Sequence, residues 1–392
     1  MKGLSTRLAT ALAAADHDRI VLDLDGIGQQ YATLLDELPG TEVRFAMKAC
    51  PVDEVIAHLA GQGCGVDAAS LPELTQALRN GVPVARVHYG NTIKSDQDIA
   101  AAHRLGVTDF ATDSVEDVKA VAAHAPGARV FCRVATAGGG ALWGLKDKFG
   151  CSPEDAVRLL ETARDLGLTP AGLSVHVGSQ QMDPDAWHAA VERIADVMDA
   201  LDQRGIVLDH VNLGGGLPAS GYTDRRGVPL DPPIDKIFTV LREGMAHLRR
   251  THGEHLRFVM EPGRFLVADQ GAVSGRVVRL SEREMPDGNR RHWLYLSCGK
   301  FNGLYEMDAL QYRLVFPSHR DDAPTVPVVV AGPTCDSDDA YAAEHRPVRV
   351  PGELASGDRV WILSTGAYGI SYMTEGFNGV APLPCATTGG GR

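Results

Sequence analysis

Lys48 closes the apolar run Val43-Arg44-Phe45-Ala46-Met47-Lys48-Ala49-Cys50-Pro51. A lysine at the end of a buried strand carries a charge that its surroundings disfavour. Desolvation lowers its pKa, and the neutral amine can attack an aldehyde to form a Schiff base. The competing reading is an ammonium that snorkels outward from the strand end. Further along the chain stand His176-Val177-Gly178-Ser179-Gln180, Gly214-Gly215-Gly216 and Glu261-Pro262-Gly263-Arg264. Consecutive glycines let backbone N–H groups approach an anion closely, although tight turn packing asks for the same residues. Glu261 could keep a pyridine nitrogen protonated, with Arg264 aiding a phosphate; a buried ion pair between the two is the alternative. His176 suits stacking on a flat ring with Ser179 beside a phosphate oxygen, or it is a satisfied core histidine. A Schiff-base lysine, an acid for a ring nitrogen, a flat stacker and a phosphate cradle together meet the needs of one cofactor, pyridoxal 5′-phosphate.

Such groups must be brought to one place, and the alternation of elements says how. Strands are expected at 44–48, 64–67, 84–89, 108–111, 129–134, 171–176, 210–213 and 256–260. Helical patterns over 51–62, 71–80, 115–123, 153–166, 184–203 and 234–250 separate them. Ser70, Ser114 and Ser152 precede helical runs, with Glu73, Asp117 and Asp155 three residues on, the spacing of an N-terminal cap. Eight strands alternating with helices imply parallel pairing through right-handed crossovers, and eight strands close a (β/α)8 TIM barrel. The C-terminal strand ends, where such barrels carry chemistry, hold Lys48, Asp67, Asn91, Asp113, Arg133, His176, the glycine run and Glu261. From about Gln270 the texture changes to short alternating segments with Gly, Pro, Asp and Asn turns, which reads as a second, β-rich C-terminal domain. The run Arg19–Leu24 is a candidate to pair into that sheet. The expected organisation is a barrel over 27–268, with 1–26 and 269–392 forming the β-rich domain.

The chain has 392 residues, 44% hydrophobic and 22% charged, enough for a full core. A net charge of −12 without a basic cluster speaks against nucleic acid. No apolar stretch is long enough to cross a membrane, and the N-terminus lacks the apolar core of a signal peptide. Seven scattered cysteines without a Cys-x-x-Cys pair read as reduced thiols in a cytoplasmic protein, with no metal site.

With these motifs in order, the chain resembles the alanine-racemase-type (fold type III) pyridoxal-phosphate enzymes, within them the ornithine/lysine/diaminopimelate/arginine decarboxylase group, and among these the bacterial lysine/ornithine type. The resemblance rests on Phe45-Ala46-Met47-Lys48-Ala49, the His-Val-Gly-Ser-Gln, Gly-Gly-Gly and Glu-Pro-Gly-Arg elements, and three segments further on. These are Gly332-Pro333-Thr334-Cys335-Asp336-Ser337-Asp338, Gly366-Ala367-Tyr368 and Phe377-Asn378-Gly379. It covers residues from about 20 to about 385. It implies Lys48 as the lysine that binds the cofactor, Asp67 near that lysine, and Arg133 near the ring or the phosphate. His176, Ser179, Gly214, Gly215, Gly216, Gly263, Arg264 and Tyr368 would complete the cofactor shell. Glu261 would hold the ring nitrogen's proton, where racemases of this fold carry an arginine, so decarboxylation is the implied reaction.

In the same group Cys335 looks like the group that returns a proton to the α-carbon, and Asp336 like the reader of the substrate's distal amine. Both would serve the partner subunit's site, which implies a head-to-tail homodimer. Lys146-Asp147-Lys148-Phe149-Gly150 resembles a mobile active-site loop. Ser297-Cys298-Gly299-Lys300-Phe301 places a thiol, Cys298, where related enzymes carry an acid beside the substrate. The expectation is a dimeric pyridoxal-phosphate enzyme that converts ornithine or lysine to the diamine and CO2. The alternatives are a diaminopimelate, modified or carrier-bound substrate, or a non-catalytic regulator of the antizyme-inhibitor kind.

Overall fold

Parallel strands demand long crossovers, and the alternation of apolar runs with helical patterns supplies them. The computed structural model describes residues 4–145, 147–341 and 347–391. Eight barrel strands run, in chain order, Thr41–Ala46, Gly65–Ala68, Val87–Tyr89, Asp109–Thr112, Arg129–Arg133, Thr169–Ser174, His210–Asn212 and Arg257–Met260. Each pairs in parallel with the next, and the eighth pairs with the first through Phe258↔Thr41 and Met260↔Val43, so the barrel closes. The expected strand at 84–89 is shorter than its apolar run, because Val84–Arg86 forms a single 3-10 turn.

Helices between the strands start where the capping residues stand. Ser70, Ser114 and Ser152 Oγ accept the backbone N–H of Glu73, Asp117 and Asp155 at 3.4, 3.3 and 3.1 Å. Each bond satisfies one otherwise orphaned N–H of the first turn. Ser95 caps the helix Asp96–Arg104 in the same way. Phe45, Phe110, Phe131 and Phe258 are fully buried, and each contributes on the order of 1.5–3 kcal/mol through the area it removes from water.

The N-terminal mouth of the barrel is closed electrostatically. Arg257 Nη1 reaches Glu42 Oε1 at 2.8 Å and its Nη2 reaches Asp209 Oδ1 at 3.1 Å. Arg129 bridges Asp209 at 2.7 Å and Asp109 at 2.8 Å. Arg44 completes the circuit toward Asp109 at 3.9 Å and Glu42 at 3.6 Å. Three arginines thus alternate with three carboxylates in a ring. Burial works against the Asp209 carboxylate, but its bonds to His210 and Arg129 hold it well below the usual range.

The second unit is assembled from Met1–Ile27, Ala219–Asp231 and Leu266–Arg392, and the barrel unit from Gly28–Pro218 and Pro232–Phe265. The sheet of the second unit is mixed. Gly271–Glu284 is the central strand and pairs antiparallel with Arg19–Asp23, Arg290–Leu296 and Arg359–Leu363. Arg19–Asp23 joins this sheet as expected, with Arg19 opposite Ser274. A strand that the sequence pattern does not announce, Cys385–Thr388, runs parallel to it. The helix Thr6–Ala14 buries Leu8 and Leu12 against Val21, Ala272, Trp361 and Leu363. One of the short alternating segments of this region forms the strand Val348–Pro351.

Candidate active site

The C-terminal ends of the barrel strands gather the polar residues that follow each apolar run. Lys48 lies one turn beyond the first strand, in the 3-10 turn Met47–Ala49. The structure corrects one expectation here. The Lys48 side chain is 54% exposed rather than desolvated, and its Nζ lies 3.5 Å from Asp67 Oδ2 at the end of the second strand. Asp67 is buried, which alone would favour its neutral form. Lys48 and His88 outweigh this and keep the carboxyl well below its usual range.

His88, in the middle of the third strand, belongs to no motif of the sequence. Its Nε2 lies 3.1 Å from Asp67 Oδ1 and 3.0 Å from Glu261 Oε1, just beyond the eighth strand. Asn212 Nδ2, at the end of the seventh strand, donates to the same Glu261 Oε1 at 2.5 Å. A continuous polar line therefore runs from the Lys48 amine through Asp67 and His88 to Glu261.

The backbone explains why glycines recur. Ala46 N donates to Pro262 O at 3.0 Å, and a Cβ on Gly263 would stand 2.9 Å from Ala49 Cβ. Gly263 thus lets the eighth-strand end close against the turn that carries Lys48. Gly214 and Gly216 adopt φ of 71° and 101°, left-handed conformations that favour glycine. A Cβ on Gly214, Gly215 or Gly216 would collide with the carbonyl oxygen of Val175, Glu261 or Gly178 respectively.

Gly215 N donates to His176 Nδ1 at 3.3 Å, which assigns that nitrogen as an acceptor and the ring as neutral. Desolvation, with Arg133 and Lys48 nearby, pushes the His176 imidazole down to about 3. Ser179 pairs with Trp143 across a two-stranded ribbon of Ala141–Trp143 and Ser179–Gln181. The buried Arg264 reaches Ser179 Oγ at 3.3 Å through Nη2 and lies 4.3 Å above the Trp143 ring. Arg133 stacks over Phe149 at 5.0 Å, and burial lowers its guanidinium.

Two strand-end residues hold up the scaffold. Asn91 Nδ2 donates to Ala69 O, and Asp113 Oδ2 accepts Gly150 N. Lys146 of the loop motif lies outside the described residues.

The remaining expected residues belong to the sheet unit. Cys335 is exposed, and its N–H donates to Asn378 Oδ1 at 2.8 Å. Asp336 is half-buried and accepts from Asp338 N. The loop carrying both is fixed by Asp339, 1% exposed, whose carboxylate accepts Lys300 N, Thr334 N and Thr334 Oγ1. Tyr368 holds φ of 59°. Cys298 is fully buried against Gly275 and burial pushes its thiol up. A neutral, enclosed thiol supplies none of the charge that an acid at that position would.

The donor set fits pyridoxal phosphate. An amine stands beside one carboxylate, a second carboxylate is fixed at the other end of the polar line, and a neutral imidazole lies between them in chain order. A model of the pyridoxal-dependent decarboxylase pyridoxal-binding domain matches residues 24–268, and one of the corresponding C-terminal sheet domain matches 224–366. Ornithine decarboxylase of Schizosaccharomyces pombe is 29% identical over 95% of this chain and 84% of its own length. Lysine/ornithine decarboxylase of Selenomonas ruminantium is 29% identical over 93% of this chain and 88% of its own. The crystal structure of lysine/ornithine decarboxylase from Vibrio vulnificus, complexed with cadaverine, superposes with a TM-score of 0.84. It is 28% identical and covers 98% of this chain and 99% of that one.

Proposed function

Because this chain belongs to the pyridoxal-dependent decarboxylase family, we propose that it removes CO2 from a basic L-amino acid, ornithine or lysine, and releases the diamine. The observation that carries this reading is the polar line from Lys48 to Glu261 at one barrel mouth. When bound, pyridoxal phosphate supplies an electron sink for the carbanion left by CO2.

Lys48 is the residue that attaches the cofactor, and Asp67 orients its amine. Glu261 offers Oε2 to a ring nitrogen, since Oε1 is occupied by Asn212 and His88. Its negative charge favours a proton on that nitrogen. His176 presents a neutral face for stacking. Ser179, Arg264, Tyr368 and the Gly214-Gly215-Gly216 segment bind the phosphate, with Arg133 near the ring. The Gly214 and Gly215 N–H groups donate to Asn212 Oδ1 and His176 Nδ1, so the segment contributes through Gly216.

Cys335 returns the proton to the α-carbon, and Asp336 reads the distal ammonium as a charge-assisted partner. We place both in the partner subunit's site, which makes the working unit a head-to-tail homodimer of the cytoplasm. The relatives named above share the ornithine and lysine chemistry, and the acidic charge of −12 suits a cationic substrate. Incubating the cofactor-loaded protein with ornithine, lysine, arginine, diaminopimelate and glutamate tests the reading. CO2 and diamine are expected from ornithine or lysine; release from diaminopimelate alone would overturn the substrate assignment. Mixing Lys48→Ala with Cys335→Ala should restore about a quarter of wild-type activity if sites are shared. No recovery on mixing would exclude the shared site.

A further inference from the structure

His88 stands where none of the expected chemistry needs a histidine, in the centre of the strand Val87–Tyr89. It is 1% exposed, and its ring packs against Phe131 with centroids 5.1 Å apart. A core histidine with one satisfied nitrogen would require nothing more. The Nε2 atom instead lies within hydrogen-bond distance of two carboxylates that come from different strand ends. Both are acceptors, so Nε2 must carry a hydrogen.

The three ligand atoms of Asp67, His88 and Glu261 all lie within 4.8 Å of one another. A buried carboxylate, Asp67, and a half-buried one, Glu261, this close repel unless a proton stands between them. Each carboxylate has its other oxygen placed for the site: Asp67 Oδ2 faces Lys48, and Glu261 Oε2 takes none of the bonds to Asn212 or His88.

We propose that His88 is a positioning residue: its Nε2 hydrogen ties Asp67 to Glu261, so that the amine end and the ring-nitrogen end of the site are set as one unit. The inference rests on the pyridoxal-phosphate reading above. It assigns His88 no contact with substrate or cofactor. Its action runs through the two carboxylates, and its loss frees each to turn independently. Burial and the charge of Arg44 on the first strand oppose a cationic ring, while the bonds to Asp67 on the second strand and to Glu261 raise its pKa above the ordinary value.

The test uses the holoenzyme and the apoprotein of wild type, His88→Leu and His88→Gln. His88→Leu removes the bridge, whereas the amide of His88→Gln has two N–H groups with which to span the carboxylates. Three quantities are read: the pH titration of the bound cofactor's visible absorbance, the Kd of the apoprotein for pyridoxal phosphate, and kcat with KM. His88→Leu should move the spectral titration by about one pH unit. It should also lower kcat on the order of tenfold with KM little changed, as expected when preorganisation is lost. His88→Gln should recover most of both.

A Leu variant with wild-type titration and kcat overturns the proposal. So do Leu and Gln variants that lose activity equally and in step with Tm, the behaviour of a merely structural core residue. Should His88→Leu not fold, His88→Asn takes its place in the same measurements, since its shorter amide reaches one carboxylate at most. A shifted titration and lowered kcat then support the bridge, and wild-type values for both overturn it. Wild-type protein that binds no pyridoxal phosphate would instead refute the functional reading.

Discussion

The two mouths of the barrel are built from the same kinds of residue and finished differently. At the N-terminal mouth Glu42, Arg257, Asp209, Arg129, Asp109 and Arg44 alternate in sign around a closed circuit. Every charge there has an opposite neighbour on each side. At the C-terminal mouth the polar line is open, with Lys48 at one end and Glu261 at the other. A closed ring leaves no charge for a ligand and can only stabilise. An open line ends in groups of opposite character, an amine and a carboxylate, on which a cofactor can be held. The sheet unit differs from both, since its Cys335 is exposed on a loop anchored by backbone bonds to Asp339 and Asn378.

This contrast can be broken at defined points. Lys48→Ala removes one end of the open line and should reduce CO2 release by roughly 10³-fold or more, the scale of deleting a covalent nucleophile. Its measurable companion is loss of the cofactor's visible absorbance, and retained turnover would unseat Lys48. Glu261→Gln keeps an oxygen for Asn212 and His88 but not the charge. Turnover should fall on the order of 10²-fold with Tm nearly unchanged, as read by CO2 release and thermal melting. Cys335→Ala should slow turnover on the order of tenfold or more while the Kd for pyridoxal phosphate stays constant. Full activity would remove Cys335 from the chemistry.

Opening the closed ring should do the reverse. Arg129→Ala leaves kcat intact and costs about 1 kcal/mol in urea denaturation, because its partners stay partly solvated. A kcat loss in Arg129→Ala would erase the division between the mouths. A further effect concerns pH. His176 folds with its pKa near 3 against an ordinary 6.5, so below about 6.5 the unfolded chain binds a proton that the folded chain refuses. Stability from this group is complete above that pH and falls as the pH drops toward 3, with a limiting slope of about 1.4 kcal/mol per unit. Partial exposure keeps the actual slope below this limit. Apoprotein carrying His176→Phe should therefore lose less stability between pH 7 and pH 5 than wild type. His88, shifted the other way, contributes stability below its unfolded pKa that fades as the pH rises through its folded value.

Sequence alone reaches the barrel because buried parallel strands read as apolar runs, and the polar residue ending each run marks the mouth. Lys48, Asp67, Arg133, His176, the glycine run and Glu261 are visible for that reason. His88 is hidden because it interrupts the run Val87-His88-Tyr89 from within, where period and composition cannot tell which face a polar residue takes. Trp143 is hidden because its ribbon with Ser179 has only three residues per strand. The ring at the other mouth joins residues far apart in sequence, and no local pattern announces it. For Lys48 the sequence leaves two readings, desolvated or snorkelling outward, and the structure takes the second: the strand stops at Ala46, and one further turn carries the side chain outward.

The strand Arg19–Asp23 finds its partners in Gly271–Glu284 and Cys385–Thr388, so both neighbours are made after the whole barrel. At the usual pace of synthesis it waits on the order of ten to fifty seconds on the ribosome. During that interval the barrel can form, since none of its eight strands depends on the sheet. The apolar segment Ile20-Val21-Leu22 meanwhile has neither of its native strand neighbours, and in that state a strand edge is open to other chains. The order of synthesis thus makes the sheet the last part of the molecule to be completed, and its first strand the segment that a chaperone has most reason to cover.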